Sequence, residues 1–119
     1  MRSVLIVDDS RTSRKILRTI LEQHGYDIVG EAGDGEEGFL MYKKLNPDYV
    51  TMDITMPKLS GLECLSLIRK ENPSAVVVMV TAAGQKEKMI AAIKEGAAEF
   101  ITKPYEEKDI INVFERLEG

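Results

Sequence analysis

The sequence predicts a doubly wound α/β fold, in which a parallel sheet of five strands carries helices on both faces. Two observations predict it. Five short apolar runs, at 4–7, 28–32, 49–52, 76–80 and 99–102, each precede a longer segment of helical spacing, the rhythm of strands joined by crossover helices. The 119 residues also divide into five units of about 24, the size of one strand plus one helix.

The first run, Val4-Leu5-Ile6-Val7, stops at Asp8-Asp9-Ser10, residue types that open a helix. On that helix Ile16, Leu17, Ile20 and Leu21 form the side expected to pack on the sheet, and Arg11, Arg14, Lys15 and Arg18 the opposite side. The basic side reads either as a solvated face or as a docking surface for a partner protein. His24, favoured at a helix C-terminus by the dipole, and Gly25 close the element. The second run is interrupted by Gly30 and Glu31, and its helix stops at Asn46-Pro47. Tyr49–Met52 leads into Asp53, and the helix beyond ends at Asn72-Pro73. Val76–Val80 leads into Thr81-Ala82, with a helix stop at Gly96. The fifth run, mixed by Glu99 and Thr102, leads into Lys103-Pro104. A last helix repeats Ile110, Val113, Phe114 and Leu117 as a core stripe and leaves Ile111 as a candidate exposed contact. Met41, Met52, Met56, Met79 and Met89 are assigned to core or near-core space.

Nearly continuous apolar strands belong in the middle of a sheet covered on both faces, and mixed strands suit its edges. Runs 1, 3 and 4 are therefore central and runs 2 and 5 are edges, which with right-handed crossovers gives the order 2-1-3-4-5. The chain then reverses direction between strands 1 and 3, and ligands of open α/β sheets bind beyond the carboxyl ends at that point.

Composition narrows the function classes. A net charge of −4, from 16 Lys and Arg against 20 Asp and Glu, argues against a nucleic-acid or anionic-membrane partner. One cysteine, Cys64, allows no internal disulfide and fits a reducing cytoplasm. The apolar runs are too short for a membrane span, and no linker or charge block divides the chain. The expectation is one cytoplasmic domain over residues 1–119, monomeric and with no output domain, acting through what it binds.

Asp8, Asp9 and Asp53 follow strands 1 and 3, Thr81 follows strand 4, and Lys103 follows strand 5. Singly, each has an ordinary explanation as a cap, a turn residue, a strand-end hydroxyl or a solvated lysine. Together they place three carboxylates, a hydroxyl and an ammonium on one face of the sheet. Carboxylates so close repel unless protons or a cation intervene, and a hard divalent ion such as Mg²⁺ suits oxygen ligands. Lys103 and Thr81 then supply a cation and a donor for phosphate oxygens, completing the parts of a phosphoryl-transfer site with a carboxylate nucleophile. No second His or Cys stands at zinc-ligand spacing.

Over essentially its whole length the chain resembles the response-regulator receiver domains of two-component signalling. The motifs are Val7-Asp8-Asp9, Asp53-Ile54-Thr55-Met56-Pro57 with Gly61, Thr81-Ala82, and Phe100-Ile101-Thr102-Lys103-Pro104, with 22 residues from Thr81 to Lys103. The resemblance implies a flavodoxin-like three-layer sandwich. It implies that Asp53 accepts a phosphoryl group from a histidine kinase or phosphotransfer domain. It makes Asp8 and Asp9 the acidic pair that holds Mg²⁺, one of them through water, with Asp53 and the Thr55 backbone carbonyl as further ligands. Thr81 becomes the switch hydroxyl, Lys103 the phosphate-binding lysine and Phe100 the switch aromatic; the Lys103–Pro104 peptide is expected to be cis. Phe100 stands where motor-type members often carry Tyr, so a switch that uses a tyrosine hydroxyl does not operate unchanged. Thr55 and Ala83 occupy variable positions that tune phosphoryl lifetime in the family.

The resemblance points to a stand-alone chemotaxis regulator that switches the face formed by helix 4, strand 5 and helix 5 toward an output protein such as a flagellar motor switch protein. It would not be a multiple-turnover enzyme. A phosphorelay intermediate or a receiver of another pathway keeps the same chemistry with a different output. A Mg²⁺-dependent aspartyl-phosphate phosphohydrolase is the rival from another class, disfavoured because no length remains for a cap. A flavin- or nucleotide-binding domain is disfavoured because the first loop, Asp8-Asp9-Ser10-Arg11-Thr12-Ser13, is acidic and lacks glycine.

Overall fold

In the computed structural model, which describes residues 2–119, strands and helices alternate throughout. They are β1 (Ser3–Val7), α1 (Arg11–Gln23), β2 (Asp27–Ala32), α2 (Gly35–Leu45), β3 (Tyr49–Asp53), α3 (Gly61–Glu71), β4 (Val77–Ala82), α4 (Lys86–Lys94), β5 (Glu99–Lys103) and α5 (Glu107–Glu118). The five strands pair in parallel in the order β2-β1-β3-β4-β5, the flavodoxin-like arrangement expected from the sequence.

Asp53, Thr81 and Lys103 are strand residues, whereas the apolar runs placed them just beyond the strands. Pairing persists past the last apolar side chain because the neighbouring strand still offers partners. Asp53 is opposite Val80, Thr81 opposite Thr102, and Ala82 opposite Lys103. This matters for function, since the strand ladders fix the backbone from which these side chains project.

The sheet is covered on both faces. α1 and α5 pack on one side, and α2, α3 and α4 on the other. Alternation along the strands divides the core accordingly: Val4 and Ile6 of β1 join the α1/α5 layer, and Leu5 and Val7 join the opposite one. Thr51 of β3 is 1% exposed, and its hydroxyl has no hydrogen-bond partner among the described residues. Met52, Met56 and Met79 are buried, and Met41 and Met89 are half-buried. Ile110, Val113 and Phe114 of α5 are buried as expected; Ile111 is half-buried rather than exposed. His24 is the C-cap of α1, its Nδ1 2.9 Å from the Ile20 carbonyl oxygen.

Helix starts and close approaches fix the loops around the carboxyl edge. Ser10, Asp34 and Ser60 cap α1, α2 and α3 through their side chains, Ser60 within a capping box with Glu63. A Cβ on Gly61 would stand 2.0 Å from the Asp53 carbonyl oxygen, and one on Gly35 2.0 Å from that of Leu59. The loop leaving Asp53 is thus pressed between the starts of α2 and α3.

Two expectations for α1 are corrected. Ile16 is 49% exposed, so the sheet-facing side consists of Leu17 and Leu21, with Ile20 half-buried. Arg14 and Arg18 are not a free basic face, because the edge strand β2 presents Glu31 to both. Arg14 Nε lies 3.1 Å from Glu31, and Arg18 pairs with Glu31 and Glu22. The exposed cations on this side of α1 are Arg11 and Lys15.

Candidate functional site

The carboxyl edge of the sheet brings Asp8, Asp9 and Asp53 together, with one carboxylate oxygen of each within 4.8 Å of the others. Asp8 follows β1 and is 5% exposed, while Asp9 is exposed. Asp8 Oδ1 accepts from the Ser10 N–H at 2.9 Å, and its backbone carbonyl accepts from Arg14 Nη1 at 2.5 Å. The turn is therefore held from inside by its own cap and from α1 by a guanidinium. Arg14, read from spacing as a surface cation, supports the acidic turn instead.

Lys103 reaches in from the end of β5. Its ammonium donates to Asp8 Oδ2 at 3.2 Å and lies 3.6 Å from Asp53 Oδ2. One cation thus faces three carboxylates, and the imbalance appears in the titration of Asp53. Burial first, and then the neighbouring Asp8 charge, push its carboxyl up to about 6, against the opposing pull of Lys103. Burial opposes the Lys103 charge, but Asp53 and Asp8 outweigh it and raise its pKa. Surplus negative charge, all of it on hard oxygen donors, fits a divalent cation such as Mg²⁺.

Thr81 is 1% exposed and its hydroxyl donates to the Ala82 carbonyl at 2.9 Å. It is one residue beyond Val80, the β4 partner of Asp53. Phe100 on β5 is half-buried against the core on the α2/α3/α4 side. Thr55 is exposed two residues after Asp53. The Lys103–Pro104 peptide is cis, as expected. Sequence reasoning passed over Gln85, whose side chain accepts from the Ala82 N–H at 2.9 Å and donates to the Thr55 hydroxyl at 3.0 Å. A glutamine in a polar loop carries no periodicity or motif that would single it out. Cys64 is buried, and burial pushes its thiol up to about 12, leaving it inert at neutral pH.

The topology and the acidic cluster at its switch point define the class, and comparison agrees: a profile of the response regulator receiver domain matches residues 4–115. The chain belongs to that family. Among individual proteins it is similar to Protein CcdB of Bacillus subtilis, 46% identical over 100% of this chain and 99% of the relative. It is similar to the chemotaxis protein CheY of Thermotoga maritima, 40% identical over 98% of this chain and 97% of the relative. Among solved structures, CheY in the CheX–CheY–BeF3–Mg complex of Borrelia burgdorferi superposes with a TM-score of 0.94 at 38% identity, covering 99% of this chain and 90% of that one. Among the described residues no helix is long and apolar enough to cross a membrane.

Proposed function

We propose that this receiver accepts a phosphoryl group on Asp53 and uses it to alter the surface it presents to a partner. The observation that carries the reading is the placement of a half-buried carboxylate between two further carboxylates and one ammonium. Asp8, Asp9, Asp53 and the Thr55 carbonyl would hold the cation, and Mg²⁺ bound there supplies charge neutralisation for an anionic nucleophile approaching an anionic donor.

An Asp53 carboxylate oxygen attacks phosphorus in line, forming an O–P bond as the P–N bond to the donor histidine of a kinase or phosphotransfer domain breaks. The electron pair of that bond leaves with the imidazole nitrogen, which takes up a proton. Lys103 balances charge on one equatorial oxygen as a point charge, and the Thr81 hydroxyl turns from the Ala82 carbonyl to donate to another. Phe100 then moves into the space that Thr81 vacates, changing the α4–β5–α5 face. The phosphoryl group selects between two packings through its different contacts in each. The protein acts as a signal carrier rather than as an enzyme working on external substrates.

Chemotaxis is the favoured pathway, supported by the CheY relatives, with a flagellar motor switch protein as the output partner. The 46% match to a relative of a different name favours, as a second reading, the same chemistry in another pathway. Mixing the phosphorylated protein with a flagellar switch peptide separates them: phosphorylation-dependent binding supports chemotaxis, and equal binding of both forms contradicts it.

A further inference from the structure

Gln85 stands at the N-cap of α4, where a side chain ordinarily satisfies a first-turn N–H, yet it makes no capping bond. Its carboxamide is committed elsewhere. Oε1 accepts from the Ala82 N–H and Nε2 donates to the Thr55 hydroxyl, linking the end of β4 to the loop that leaves Asp53. The carbonyl of Ala82 is held as well, by the Thr81 hydroxyl. Side chains thus hold both backbone polar groups of the residue that follows Thr81.

We infer that Gln85 is a positioning residue whose bridge from Thr55 to Ala82 holds the end of β4 in its unphosphorylated arrangement, so that phosphorylation proceeds as the bridge yields. The inference rests on Asp53 being the acceptor. For its hydroxyl to reach a phosphoryl oxygen, Thr81 must leave the Ala82 carbonyl. Ala82 remains tied through its N–H to Gln85, and through Gln85 to the loop beside Asp53. A bond present in one arrangement and absent in the other biases the equilibrium by its own free energy. Both bonds are solvent-exposed, so water competes for them and the bias is modest.

Three variants test the bridge. Gln85→Ala removes it. Gln85→Asn is one methylene too short for it but is a better N-cap, and so strengthens the start of α4 while losing the bridge. Thr55→Val removes the hydroxyl at its far end. With phosphoramidate and Mg²⁺, the initial rate of Asp53 phosphorylation is expected to rise about two- to fivefold in each variant, the scale of one exposed hydrogen bond. The Gln85→Ala/Thr55→Val double variant should be no faster than either single one, because both remove the same bridge. Unchanged rates, or Gln85→Ala and Gln85→Asn moving in opposite directions, would overturn the bridge; the second pattern assigns the effect to helix stability. Amide exchange at Ala82 in the unmodified protein gives an independent reading: faster exchange in both Gln85 variants supports the bridge, and unchanged exchange overturns it. A wild-type protein that takes up no phosphoryl group overturns the Asp53 assignment instead, and the exchange measurement still decides the bridge.

Discussion

At the scale of the residue, Asp53 carries a carboxylate whose surroundings favour its protonated form. Its pKa rises from 3.8 to about 6 in the folded chain. Between those values the folded state binds more protons than the unfolded state, so stability falls as pH rises through this window and stays low above it. The raised pKa corresponds to a cost on the order of 3 kcal/mol at neutral pH in metal-free protein, an upper bound. Asp53→Asn should therefore be more stable than wild type in EDTA at pH 8, by about 1–3 kcal/mol. The gap should narrow toward pH 4. Denaturant melts at the two pH values check this, and a variant less stable than wild type at pH 8 contradicts it. The residue types at the carboxyl edge were readable from the sequence, because Asp8, Asp9, Asp53, Thr81 and Lys103 each end an apolar run. Gln85 and the inward role of Arg14 were not. Both depend on tertiary partners, Ala82 and Thr55 for one and the Asp8 carbonyl and Glu31 for the other.

At the scale of the element, β3 carries Asp53 as its last residue and, two residues earlier, a buried hydroxyl with no partner among the described residues. Thr51→Val replaces that buried hydroxyl with a methyl group of similar size and should stabilise the chain by about 1 kcal/mol, read from a chemical melt. Destabilisation would mean that the hydroxyl has a partner. The loop after β3 leaves no room beside Gly61, where a Cβ would meet the Asp53 carbonyl at 2.0 Å. Gly61→Ala should cost about 2 kcal/mol or more, since backbone must shift to admit the methyl group. A loss within 0.5 kcal/mol, the range about typical of surface changes, contradicts this. Apolar runs and stop signals located all ten elements, with strand ends displaced by a residue or two where backbone pairing outlasts the apolar pattern. The orientation of α1 was less readable. Ile16 has helical spacing suited to the core, yet it sits beside Pro104 and Tyr105 at the margin of the sheet.

At the scale of the whole molecule, the net charge is −4, and the cluster of Asp8, Asp9 and Asp53 with Lys103 at the carboxyl edge of the sheet accounts for half of it. Mg²⁺ bound there would favour the folded state, by about 2.7 kcal/mol at one hundred times its dissociation constant. The melting temperature should rise by several degrees with Mg²⁺ in wild type and scarcely in an Asp8→Asn/Asp9→Asn variant; equal shifts would place the ion elsewhere. The central claim is that Asp53 is the phosphoryl acceptor. Intact-protein mass spectrometry after treatment with phosphoramidate and Mg²⁺ tests it most directly. Wild type should gain one phosphoryl mass, lost on standing as the acyl phosphate hydrolyses, and Asp53→Asn should gain none. An Asp53→Asn protein that still gains the phosphoryl group would contradict it.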